Sequence, residues 1–159
     1  TNRYTHAPWW HDEDGSLAER FEHFLIIPRA MLVGLLHHYS ALVPQDWLEE
    51  ITAETVSHIE NAMQVVEGGG SDLEYTISLA ESNNLPRHYE ERLKRVIFSV
   101  IPRAVVRDPA RWDTYCITPL KVVSSINSLG ASLIWSEIQQ HLDYQVEHQS
   151  PEGCWEPSW

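Results

Sequence analysis

No stretch of this 159-residue chain alternates apolar and polar side chains with a sustained period of two, whereas apolar residues recur every three or four positions between spaced prolines. That pattern points to helices and away from a sheet. Proline fits the first turn of a helix but interrupts its interior, so Pro28, Pro44, Pro86, Pro102, Pro109 and Pro119 punctuate the chain into helical lengths.

Taken in order, Ser16 is the expected N-cap of a short helix over residues 17–25, with Glu19 completing a capping box. Pro28 opens a helix whose Met31, Leu32, Leu35, Leu36 and Tyr39 make the expected buried stripe, and Pro44 ends it. Asp46 is the expected cap of the next helix, with Ile51, Val56, Ile59 and Met63 as its stripe. Gly68 to Gly70 form the one clear linker. Ser71 or Asp72 starts a helix that breaks at Asn83-Asn84. Pro86 opens a long one, apolar at Tyr89, Leu93, Val96, Ile97, Val100 and Ile101, with a kink or break expected at Pro102.

Asp108-Pro109 restarts a short helix, and Thr118 is a candidate cap for the segment from Pro119. The last long helix is expected from about residue 129 to 148, with Leu129, Leu133, Ile138, Leu142 and Val146 on one side and Trp135 flanking them. Seven or eight helices joined by short loops predict a single all-α domain over residues 1–159, a helical-hairpin bundle long enough to bury a core. Residues 1–15 form an aromatic N-terminal segment. The tetrapeptide Ile27-Pro28-Arg29-Ala30 recurs as Ile101-Pro102-Arg103-Ala104, a match that extends no further.

Charge excludes whole classes of partner. With 23 acidic against 11 basic side chains, the net charge of −12 disfavours nucleic acid and anionic membrane, which need a basic face. No stretch approaches the roughly 18 apolar residues of a membrane span, so no membrane insertion is expected. The first residues lack the basic start and apolar run of a signal peptide, and a cytoplasmic location is the expectation. Cys116 and Cys154 are too few for a disulfide framework and are read as reduced thiols.

The standard catalytic arrangements are missing. Nine His raise the question of a metal, yet His37 and His38 point about 100° apart on a helix, and His141 and His148 lie two turns apart. No HExxH or Cys-x-x-Cys pattern occurs, so no metal and no cofactor are expected. There is no Gly-x-Ser-x-Gly elbow, and the glycine run at 68–70 is followed by acidic residues that would repel a phosphate.

What remains is aromatic surface. Seven Trp are an excess for this length, and Trp9, Trp10, Trp155 and Trp159 sit at the two ends. They either pin the termini together or wall a cavity for an apolar ligand. In the second case Arg29, His37, His38, Tyr115 or Arg103 are the candidates to aim polar groups into it. Arg29 and Arg103, read as near helix starts, gain nothing there from the helix dipole, so each calls for a carboxylate partner or a ligand.

The closing stretch, residues 142–159, ends a helix at Gln149, turns at Pro151-Glu152-Gly153 and continues through Trp155, Pro157 and Trp159. Gly153 permits a positive φ, so the turn brings Trp155 back toward the helix, where Gln149 can lie under its indole. The spacing Gln149, Gly153, Trp155 resembles the QW motif of terpene cyclases and other α/α-toroid enzymes, a structural clamp between helices. With the Pro-Trp-Trp, Ile-Pro-Arg-Ala and Ile-Thr-Pro-Leu segments, it also resembles a family of small all-helical proteins of bacteria and fungi to which no activity is attached. The toroid resemblance implies a partial α/α-toroid, with residues 149–159 as its clamp. The chain departs from the cyclases in holding one such unit and lacking their Asp-rich motifs. Asp12-Glu13-Asp14 is the nearest approach and carries no catalytic role.

Two functions from different classes follow. One is a cofactor-free cyclase, isomerase or pericyclase of the Diels–Alder type, shaping an apolar terpenoid-like substrate; orientation alone contributes up to ~7–11 kcal/mol in favourable cases. The other is a non-catalytic helical module binding an apolar small molecule or a protein partner. An enclosed cavity favours the first, and an exposed apolar surface the second. A partial toroid that leaves an apolar face uncovered is expected to form a homodimer.

Overall fold

The computed structural model describes residues 26–63 and 72–155. Among them are five α-helices and no strand. They are α1 (Ile26–His38), α2 (Gln45–Ala62), α3 (Asp72–Ala80), α4 (Arg87–Ala104) and α5 (Trp135–Glu147). Single 3-10 turns at Ser40–Leu42, Pro109–Arg111, Pro119–Lys121 and Ala131–Leu133 fill the connections. The chain is all-α, as the periodicity implies. The helix expected over 17–25, the glycine linker at 68–70, and Trp9, Trp10 and Trp159 lie outside the described residues.

The prolines punctuate the chain much as their chemistry requires. Pro44 and Pro86 occupy the N-cap positions of α2 and α4. Asp46, expected as a cap, sits instead in the first turn of α2, where its charge faces the positive end of the helix. Pro102 does not stop α4, which continues to Ala104. It falls within the last turn, so the Phe98 carbonyl loses its helical donor but only two helical residues follow. The Asp108 carboxylate caps the following turn by accepting from the Ala110 N–H at 3.1 Å.

α1 packs on α2 and α3, and α4 packs on both of those, so the four helices are neighbours in the cyclic order α1, α2, α4, α3. α2 and α4 run in the same direction. Near their starts the Tyr89 hydroxyl donates to Glu49 at 2.7 Å, and near their ends Arg103 donates to the Met63 carbonyl at 2.8 Å. The centre of the core is the face of α4 formed by Leu93, Ile97, Val100 and Ile101, all fully buried. Val56 and Ile59 of α2, with Met63 at its C-cap, meet it, as their spacing implies.

Two apolar stripes are not where the periodicity places them. On α1 the buried residues are Ile26, Ala30, Val33, Gly34 and His37. Met31, Leu32, Leu35 and Tyr39 are each about half exposed. The reason is close approach: a Cβ on Gly34 would lie 3.4 Å from Ser82 Cβ and 3.7 Å from Leu79 Cδ1, so the small-residue face nests against the end of α3. On α5 only Ile138 and His141 are buried, while Trp135, Leu142 and Val146 face outward. The repeated tetrapeptide sits in the first turn of α1 and the last turn of α4, opposite positions that do not describe a structural repeat.

α5 begins at Trp135, later than expected, because Gly130 turns the chain with φ +82 ahead of a 3-10 turn. A Cβ there would stand 2.1 Å from Ile101 Cδ1, an atom of a fully buried side chain. Gly153 also has positive φ (+83), but its imagined Cβ meets nothing nearer than Gln149 Nε2 at 3.8 Å. Gly130→Ala is therefore expected to cost about 2–5 kcal/mol, the left-handed penalty plus overpacking. Gly153→Ala should cost only the first part, about 1–2 kcal/mol. Urea unfolding of both variants checks this, and equal losses would show that Ile101 yields without cost.

Candidate functional site

The outward stripe of α1 forms one wall of an open groove of about 970 Å3. Met31, Leu32 and Leu35 supply its apolar side, α3 and the residues just after it supply Ile77, Ser78, Glu81 and Ser82, and residues 120–124 close the third side. The groove is thus two-faced. Long apolar side chains line α1, and hydroxyls and carboxylates line α3. The Ser82 hydroxyl donates to the Leu79 carbonyl at 2.7 Å, which leaves its oxygen free to accept. Glu81 is occupied by the Leu129 N–H at 2.5 Å. Lys121 on the far wall donates to the Cys116 carbonyl at 2.9 Å.

Two buried histidines hold the groove walls. His37, at the end of α1, shares a 2.8 Å hydrogen bond with Thr52 of α2. The Thr52 hydroxyl gives its one proton to the Leu48 carbonyl at 2.6 Å, so the imidazole must donate through Nε2. Asn84, held at φ +64, donates to the His37 carbonyl at 3.3 Å and fastens the end of α3 to that of α1. His141 of α5 accepts the Leu120 N–H on Nδ1 at 3.3 Å and so anchors the 120–124 wall. Trp112 packs against His141 with ring centroids 4.6 Å apart and donates to the Val106 carbonyl at 2.8 Å. Tyr144 closes this small second core, its hydroxyl pushed up to about 12 chiefly by a hydrogen bond to Asp113.

Of the described site candidates singled out from sequence, His38 alone lines the groove. Arg29 is paired with Glu54, a carboxylate partner, on the α2 side of α1. His37 is buried in the packing, and Tyr115 is three-quarters exposed on a loop, with Lys121 Nζ 5.6 Å from its ring centre. Arg103 ends α4 rather than starting a helix, and there its charge suits the dipole. These side chains do not converge on one point. Trp155 is folded back as the turn chemistry implies: its Nε1 donates to the Gln145 carbonyl at 2.7 Å, one of the helix-end carbonyls without an intrahelical partner. Gln149 does not reach a helix end. It donates to the Gly153 carbonyl at 3.0 Å and stabilises the turn itself. Trp155 is half exposed and does not line the groove.

The residues that do line the groove were legible only in part. Ala30 and Gly34, four apart, mark the face of α1 that can approach a neighbour closely, and that spacing is the signal that would have turned Met31, Leu32 and Leu35 outward. Nothing local announces the contribution of residues 120–124. No group of three or more His, Cys, Asp or Glu side chains able to hold a metal occurs among the described residues. Nor, among them, is any helix long and apolar enough to cross a membrane. No family model, curated protein or solved structure matches the chain, so its own geometry must carry the functional reading.

Burial holds the imidazoles of both His37 and His141 below their usual range; nearby Lys121 adds to this at His141, while Glu49 opposes it at His37. Because the folded values lie below the unfolded one, the unfolded chain takes up protons first as pH falls through the ordinary histidine value near 6.5. Stability is therefore full above that pH and is lost below it. Urea midpoints at pH 7.5 and 5.5 should show the wild type weaker at the lower pH, with a smaller difference in His141→Gln. An undiminished difference in that variant would remove His141 from the account.

Proposed function

We propose that this chain is a non-catalytic helical module that takes a neutral, mostly apolar small molecule into the groove between α1, α3 and residues 120–124. The observation that carries the reading is the half exposure of Met31, Leu32 and Leu35 on one groove wall. Three adjacent long apolar side chains in solvent are costly unless something covers them, since burying one such side chain is worth about 1.5–3 kcal/mol. The groove volume lies at the upper end of the range for small-molecule sites. The α1 wall runs from Met31 to His38, about 10 Å of helix, which is short for docking an amphipathic helix and ample for a small ligand.

The chemistry of the other walls narrows the ligand. Glu74 and Glu81 outnumber the single Lys121 among the charged lining residues, which disfavours an anionic head group. The serines offer partners for a hydroxyl or carbonyl. A cyclase or pericyclase would need walls that exclude water from the reacting atoms. This groove is open, and the candidate polar residues other than His38 point elsewhere, so binding without turnover is the better-supported reading.

A neutral solvatochromic dye such as Nile red should bind saturably and be displaced by neutral isoprenoid alcohols. Leu35→Glu places a charge on the apolar wall and should weaken binding tenfold or more, whereas Leu142→Glu on α5 should leave it unchanged. Mass analysis should return each alcohol unaltered. Equal binding by Leu35→Glu would remove the groove from the proposal, and a new product would overturn the non-catalytic part.

A further inference from the structure

A second concavity lies on the α2–α4 side of the molecule, away from the groove. It is an open cleft of about 390 Å3 between the last turn of α2 (Glu60, Asn61, with Met63 just beyond) and one face of α4 (Arg92, Arg95, Ser99, Arg103). Its charge is the reverse of the protein's. The chain has about two acidic residues for each basic one, yet among the described residues three guanidinium groups and a single carboxylate line this cleft. Five of the chain's 11 basic residues stand on α4, and three of those five face here.

The hydrogen-bond inventory shows which cations are already used. Arg92 grips Glu60 through two bonds, Nε to Oε1 at 3.0 Å and Nη2 to Oε2 at 2.7 Å. Arg103 donates once, to the Met63 carbonyl at 2.8 Å. Arg95 makes no hydrogen bond or ion pair with any of the described residues, and its charge acts on the Glu60 already held by Arg92. Each guanidinium has five N–H donors. Most of the donors in the cleft therefore remain without an acceptor among the described residues.

Helix dipoles oppose an anion at this end, because α2 and α4 run parallel and both finish here. Their carbonyl ends amount to roughly half a negative charge each. Three guanidinium charges against Glu60 and those two half charges leave the cleft positive by about one unit. That surplus sits on Arg95 and on the outward edges of its two neighbours.

We propose that this cleft binds a phosphate group, free or at the end of a larger molecule, between Arg95 and the unused donors of Arg92 and Arg103. A carboxylate offers two oxygens in one plane, the geometry that a single guanidinium fork matches. A phosphate presents three peripheral oxygens and can accept from more than one arginine at once. Glu60 positions Arg92 and limits the affinity, because its own charge repels the ligand.

The two sides of that balance predict opposite signs. Calorimetric titration with inorganic phosphate at constant ionic strength, with chloride as the balancing anion, should show saturable binding to the wild type. Arg95→Gln should weaken it at least fivefold, and Glu60→Gln should strengthen it severalfold. Each variant is first checked for an unchanged helical spectrum and a cooperative melt. A parallel titration with a phosphomonoester such as glycerol phosphate separates the sources: tighter binding than inorganic phosphate points to an ester ligand, and equal or weaker binding to the free ion. Indifference to Arg95→Gln, weakening by Glu60→Gln, or equal affinity for acetate would overturn the proposal.

Discussion

Gly34 and Ala30 let α1 settle against its neighbours along its smallest side chains, and the rest of the molecule is arranged around that contact. A Cβ at position 34 would already be in van der Waals contact with Ser82 and Leu79, so α1 lies close against the end of α3 there. Close packing there favours many weak dispersion contacts over burial of the larger side chains on the opposite face. Met31, Leu32 and Leu35 are thereby turned to solvent, and the groove exists because of it. The same contact places His37 inward, where Thr52 and Asn84 tie together α1, α2 and the end of α3.

The second half of the described chain is attached by fewer and more polar links. α5 contributes only Ile138 and His141 to the interior, and its N-terminal approach depends on Gly130 fitting against Ile101. Trp112, His141 and Tyr144 form a compact aromatic cluster beside it. Through the Leu120 N–H this cluster holds one groove wall, so the position of residues 120–124 rests on a neutral imidazole rather than on apolar packing alone. Acid therefore acts on this wall through His141 as it acts on the four-helix core through His37.

Charge is organised as local pairs within an acidic whole. Arg29 with Glu54, Arg92 with Glu60 and Arg107 with Glu137 each join two elements, and all remain partly solvated. Pairs of this kind contribute little to stability, commonly under about 1 kcal/mol. Their effect is on alignment. The parallel course of α2 and α4 brings two helix ends to one place, and arginine there satisfies carbonyls that helices cannot satisfy themselves. The concentration of guanidinium groups in the cleft follows partly from that need and exceeds it at Arg95.

The amino-acid order by itself determined the class of the fold. Its helical rhythm, its lack of two-residue alternation and the prolines before α2 and α4 are local features, and locally specified helices survive into the structure. So do the buried faces of α2 and α4, whose apolar and polar sides differ sharply, and the turn that returns Trp155 to α5. Only the tertiary structure decided which face of α1 and α5 is inside: α1 carries apolar residues on most sides, so periodicity cannot choose between them, and the single apolar stripe of α5 is covered only at Ile138. It also decided the groove and the cleft, since each joins elements distant in the chain: residues 120–124 with α1, and the end of α2 with α4. Contacts of that kind depend on how closely backbones approach, which small residues permit but do not announce.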